Sequence, residues 1–188
     1  MSLGSIQLVG LVILRADVAL AAALLPYCAG LAASFAFSAL YNLAPPSPRR
    51  ERLRRFDHAA IFLLIAGTYN ALTLPHADRG WAVALLILVW ALSIIGIFMK
   101  LLLPHRFERW SIAVYLGLGW SFLAVAEYAS AVLTPLTFHL IVTGGVFYSA
   151  GVVAHILPHL RFGRALWHSA VVAGALCHYA AILLTVGL

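Results

Sequence analysis

The chain has 188 residues, of which 64% are hydrophobic and only 10% charged; a soluble fold of that length has no core large enough to hide such a composition, so lipid is its solvent. Its formal net charge of +6 would suggest nucleic acid in a soluble protein. In an apolar chain the placement of the charges along the sequence decides their meaning, and here they follow membrane topology and leave no nucleic-acid surface.

A membrane-spanning helix needs about 20 mostly apolar residues. The first candidate, 3–14, is short: it ends before Arg15 and Asp17 and crosses only with its flanks or a thinned bilayer. Full-length candidates follow at about 18–44, 57–75, 81–103, 110–130, 134–157 and 165–187. With the short first helix counted, the expectation is an all-α transmembrane bundle of seven helices forming one domain over residues 1–188. The opening Met1-Ser2-Leu3 has no basic run and no small-residue cleavage site after it, so a signal peptide is not expected.

Positive charge alternates from one connection to the next. The polar connection 45–56 carries Arg49, Arg50, Arg52, Arg54 and Arg55; the 81–103 span ends with Lys100, with Arg106 and Arg109 just beyond it; Arg161 and Arg164 follow the 134–157 span. The intervening connections pair Arg15 with Asp17 and Arg79 with Asp78, or carry no charge at all from Ala129 to Thr137. The positive-inside bias then predicts a cytoplasmic N-terminus and an external C-terminus. Cys28 and Cys177 lie in apolar spans far apart in sequence, which favours packing over a disulfide or a metal. Small residues such as Ala29-Gly30 and Gly144-Gly145 predict close helix packing in lipid.

Ionised groups inside a bilayer cost at least a few kcal/mol, so those a span does carry point to function. Ser38 and Asn42 fall at the cytoplasmic end of the 18–44 span, Asp57 and His58 at the matching end of the 57–75 span, and Arg164 and His168 where the last span begins. Each four-residue pair shares a helix face, about 6 Å apart. Three helices thereby bring polar residues to one depth. The competing reading is that these are headgroup-level residues bonded to water.

The stretch Ser38-Ala-Leu-Tyr41-Asn42, then Arg54-Arg-Phe-Asp57-His58-Ala-Ala-Ile-Phe-Leu-Leu-Ile-Ala-Gly-Thr-Tyr69, Gly144-Gly145-Val-Phe-Tyr148-Ser-Ala-Gly151, Ala165-Leu-Trp167-His168 and Cys177-His178-Tyr179 resembles the bacterial hemolysin III branch of the progestin and adipoQ receptor (PAQR) superfamily. The resemblance implies seven transmembrane helices with a cytoplasmic N-terminus. It also implies a zinc ion near the cytoplasmic leaflet, held by a histidine ending the second span and by two from a His-x-x-x-His motif opening the seventh, with an aspartate beside it. Three imidazoles leave one tetrahedral position for a water whose pKa falls to about 7, and related receptors are suspected of hydrolysing lipid amides.

Two of the three ligands are missing. Asn42 and Arg164 stand at histidine positions and only His168 matches; an amide oxygen is a poor zinc ligand and a guanidinium has no acceptor. No metal or other cofactor is therefore expected, with zinc as the alternative. The expected site is a polar pocket of Tyr41, Asn42, Arg164 and His168, in which the Arg164 cation takes the metal's electrostatic place beside Asp57, with Ser38 completing the cluster. The competing reading has Arg164 snorkelling to the interface. His155 and His159 have chelating spacing, but Pro158 lies between them; His178 is expected to make a core hydrogen bond, and Glu127 to reach water.

The expected function is a zinc-free protein that binds membrane lipid or helps maintain membrane homeostasis, with lipids as partners. The alternatives are a zinc-dependent lipid amide hydrolase with Asp57 as base and Ser38 beside it, and a pore former or cytolysin. A pore requires a polar stripe through several spans, whereas the polar residues cluster at one end.

Overall fold

A computed structural model describes residues 7, 8, 10, 17–103, 108–157 and 159–187. Among the described residues six stretches are long and apolar enough to cross a membrane, Val18–Leu43, Pro48–His76, Gly80–Leu102, Trp110–Ser130, Pro135–Ile156 and Gly163–Thr185, and no strand occurs. The expected count of seven is not reached there. Of the short first helix, 3–14, only residues 7, 8 and 10 are described; all three are helical and Leu8 is fully buried. The rest of that expectation lies outside the described residues. The chain forms two compact units, Met1–Leu118 and Gly119–Leu188.

In the first unit, α1 (Val18–Leu43) starts where the Asp17 carboxylate accepts from the backbone N–H groups of Ala19 (2.8 Å) and Leu20 (3.2 Å), which otherwise lack partners at a helix start. Helix α2 runs Pro48–Thr73. Its onset corrects the expectation that the span begins at 57 after a polar connection: the arginine cluster is helical. Ser47 caps the helix by accepting from the Arg50 N–H at 3.2 Å and Pro48 occupies the first turn, where its missing N–H costs nothing. Glu51 then pairs with Arg54 at 2.9 Å and Arg55 at 4.0 Å, relieving the like-charge repulsion that a bare run of arginines brings to a helix.

The short 44–47 connection makes α1 and α2 an antiparallel hairpin, and glycines bring them together. A Cβ at Gly30 would lie 2.7 Å from Leu64 Cα, and one at Gly67 would lie 2.6 Å from the Pro26 carbonyl oxygen. Deeper in the hairpin, Pro26 has no N–H to give the Ala22 carbonyl. Asn70 supplies it instead, its Nδ2 donating to Ala22 O at 2.8 Å and Ala23 O at 3.0 Å, so that no backbone acceptor is stranded in hydrocarbon. The Asn70 Oδ1 accepts from Trp90 Nε1 of α3 (Gly80–Leu102) at 3.3 Å. Helix α2 thus lies between α1 and α3, and every residue from Ala66 to Thr73 is buried.

The expected uninterrupted span 110–130 is also corrected. Helix α4 (Glu108–Trp120) tightens into a 3-10 segment, Ser121–Val125, before the short α5 (Ala126–Ser130). Gly117 and Gly119 weaken the helix there, and the Trp120 indole bonds away from its own helix, to Ser149 Oγ at 3.0 Å. In the second unit α6 (Pro135–Ile156) and α7 (Gly163–Thr185) pack on one another. Gly144 and Gly174 let their backbones approach: the His178 ring fills the place of a Cβ at Gly144.

Candidate functional site

The polar residues of the first unit meet where the last turns of α1 face the first turns of α2. The antiparallel register is set by Phe37 stacking on Phe56 (5.2 Å between ring centroids), the Arg50 guanidinium over the Tyr41 ring at 4.5 Å, and Ser34 Oγ donating to Ala60 O at 3.0 Å. That register places Ser38 opposite Asp57, and the Ser38 hydroxyl is a hydrogen-bond partner of the Asp57 carboxyl group. Both side chains are half-buried. From α4, Tyr115 packs its ring on Phe62 at 4.5 Å, donates from its hydroxyl to His58 O at 2.8 Å, and lies within electrostatic range of Asp57. The result is a half-buried carboxylate with the Ser38 hydroxyl bonded to it and the Tyr115 hydroxyl within electrostatic range, at the end of the hairpin where α1 meets α2. Such a group accepts hydrogen bonds from headgroup hydroxyls or ammonium groups and can take up a proton.

In the second unit, Arg164 and His168 lie one turn apart at the start of α7. With Phe162, Gly163 and Ala165 they line an open depression of about 500 Å³. Phe162 caps α7 in the left-handed conformation, φ 66°, a strained backbone for a bulky residue. The Arg161 guanidinium lies over its ring at 5.1 Å, and His155 packs against Trp167 at 5.2 Å.

The expected pocket residues are therefore distributed. Ser38 and Asp57 meet. Tyr41 is engaged by Arg50, and Asn42 is exposed, with its Nδ2 donating to Ser38 O of its own helix at 2.8 Å. Arg164 and His168 belong to the second unit, and Asp57 to the first. The donor set does not suit zinc: the Asn42 amide oxygen is a poor zinc ligand, Arg164 has no lone pair to offer, and among the described residues no group of three His, Cys, Asp or Glu side chains is placed to hold a metal. His178 makes the expected core hydrogen bond, Nε2 to Ile141 O at 3.1 Å. Both cysteines are free thiols, Cys28 buried and Cys177 half-buried, and Glu127 is exposed.

Sequence reasoning missed Tyr115, Asn70 and Trp120. Asn70 stood out only as a polar residue in an apolar span; Tyr115 and Trp120 gave no signal, because aromatic residues in a span are ordinary.

Six apolar helices of spanning length define a polytopic helical membrane protein, with a half-buried carboxylate in the first unit and a pair of exposed arginines in the second. The haemolysin-III related family matches residues 3–179, and the chain belongs to that family. It is 31% identical over 134 residues to a hemolysin-3 homolog of Bacillus subtilis, covering 71% of this chain and 63% of that protein. With hemolysin-3 of Bacillus cereus it shares 32% identity over 139 residues, 72% of this chain and 63% of that protein. The chain thus spans somewhat less than two thirds of the length of these relatives. No solved structure matches it significantly.

Proposed function

We propose that this chain is a zinc-independent lipid-binding protein of the membrane, in which Asp57 and Ser38 hold the polar part of a lipid at the cytoplasmic leaflet of the bacterial inner membrane. The observation that carries the reading is the half-buried Asp57 carboxylate with the Ser38 hydroxyl beside it. A carboxylate kept in an apolar span is expensive and implies use. Orientation rests on the arginines of α2 and of the α6–α7 connection, which favour the cytoplasmic side. Replacement of two family histidines by Asn42 and Arg164 is what separates this chain from a metal-dependent lipid amide hydrolase.

Two measurements test this on full-length protein purified in mild detergent. Elemental analysis is expected to find zinc far below one ion per chain while lipid extraction recovers co-purifying phospholipid; stoichiometric zinc supports the hydrolase reading and sinks this one. Asp57→Asn keeps the oxygen that Ser38 meets and removes the charge. A hydrogen bond to a charged group is worth about 1 kcal/mol more than a neutral one, so lipid retention is expected to fall about fivefold with the melting temperature nearly unchanged. Retention equal to wild type argues against Asp57 as the lipid contact. A pore-forming role requires a polar stripe, whereas among the described residues the spans expose many large apolar side chains.

A further inference from the structure

We propose that the turn joining α6 to α7 binds the phosphate of an anionic membrane phospholipid through Arg161 and Arg164, with His168 and Phe162 completing the site. The proposal rests on the lipid-binding reading above and adds a headgroup contact in the second unit.

Charge carries the argument. From Tyr128 to Leu188 the sequence has no Asp or Glu, yet Arg161 and Arg164 stand three residues apart in one turn, close to His155, His159 and His168. The one carboxylate of the second unit, Glu127, precedes α6, whose 22 residues put about 33 Å between its ends; the turn lies at the far end. Neither arginine forms a salt bridge with another described residue of its unit, and the Arg161 guanidinium rests over the Phe162 ring instead. Two guanidinium groups with no counter-ion among the described residues of their own unit call for an external anion, and guanidinium matches phosphate in geometry and hydrogen-bonding pattern.

Shape and surroundings select the source of that anion. The depression of about 500 Å³ lined by Phe162, Arg164 and His168 is open enough to admit a headgroup from the side. Ile156, Leu157, Leu160 and Leu166, in the turn and the helix ends that it joins, are exposed, and Phe162 is 69% exposed. The turn connects two helices of membrane-spanning length, so these apolar side chains stand where acyl chains begin while the arginines reach the phosphate level. A free phosphate ion would gain nothing from that apolar collar.

The test is native mass spectrometry of the full-length protein in detergent, titrated with phosphatidylglycerol or with zwitterionic phosphatidylcholine. Wild type is expected to retain phosphatidylglycerol in clear preference. Because the two guanidinium groups hydrogen-bond the bound phosphate directly, the double variant Arg161→Ala/Arg164→Ala should lose that preference by about tenfold or more. Arg164→Lys should keep part of it. Arg49→Ala/Arg52→Ala removes the same charge from the first unit and should leave the preference within about twofold. An equal loss from both double variants means attraction by net charge alone and overturns the site, and full displacement of phosphatidylglycerol by millimolar inorganic phosphate overturns the lipid assignment. If the Arg161/Arg164 variant behaves as wild type while Asp57→Asn still sheds lipid, this proposal fails and the Asp57 reading stands; if neither changes lipid retention, both fail.

Discussion

Gly67→Ala is expected to lower the melting temperature in detergent by about 6 °C or more. A Cβ at this position would come 2.6 Å from the Pro26 carbonyl oxygen and 2.7 Å from Tyr27 Cα. These are backbone atoms of the facing helix, so no side-chain rotation relieves the clash and the two helices must separate. Overpacking of this kind costs about 3 kcal/mol, and in a chain of this size each kcal/mol moves the midpoint by about 2–4 °C. Separation also breaks the register that puts Ser38 against Asp57, so the same variant should lose lipid. Gly117 provides the control, because a Cβ there meets nothing within 4 Å; Gly117→Ala should be neutral or stabilising by up to about 1 kcal/mol through helix propensity alone. A Gly67→Ala protein that melts with wild type would show that the α1–α2 contact is looser than described.

The second large effect is expected at Asn70. Its amide donates to Ala22 O and Ala23 O, and its oxygen accepts from Trp90, so Asn70→Leu removes three hydrogen bonds joining α1, α2 and α3. Membrane hydrogen bonds average about 0.6 kcal/mol, with a maximum near 1.7, but the stranded Ala22 carbonyl adds a desolvation cost, for a total of about 2–3 kcal/mol. The cause lies in Pro26, and this makes the prediction specific. With Pro26→Ala the helix regains an N–H able to meet Ala22 O, so Asn70→Leu should cost measurably less in that background. Equal costs in a double-mutant cycle would mean that Asn70 acts through packing and not through the proline gap.

The same two residues show where reading from sequence stops. Pro26 and Asn70 are visible as a helix breaker and a polar residue in two apolar runs, yet nothing in one dimension says that they face each other; a hairpin register does. Likewise the five arginines between Arg49 and Arg55 read as a loop because charge runs are usually solvated. Ser47, Pro48 and Glu51 make them the first turns of a helix instead, through a cap and two pairings each worth a fraction of a kcal/mol to about one. The break at Ser121–Val125 escaped notice for a related reason: hydropathy measures affinity for lipid and is blind to whether a turn closes four or three residues back.

At the candidate site, Ser38 and Asp57 were legible as polar residues near the ends of adjacent spans; that they meet follows from the register of α1 against α2. Tyr41 and Asn42 were legible as polar residues but not as engaged ones. Their partners, Arg50 and the Ser38 carbonyl, follow from local geometry that residue type alone does not specify.

What the sequence determined by itself is the solvent and the class: an excess of apolar residues with charge gathered toward the ends of the spans admits only helices in lipid, because backbone groups in hydrocarbon must bond within their own segment. The order of short motifs determined the family. Tertiary structure alone decided how α1 and α2 interlock through Gly30 and Gly67, that Asn70 repairs the gap left by Pro26, and that Tyr115 closes over the Asp57 end of α2. These depend on which faces of helices far apart in the chain are turned toward each other, and that is set by the steric fit of whole surfaces, to which no single residue holds the key.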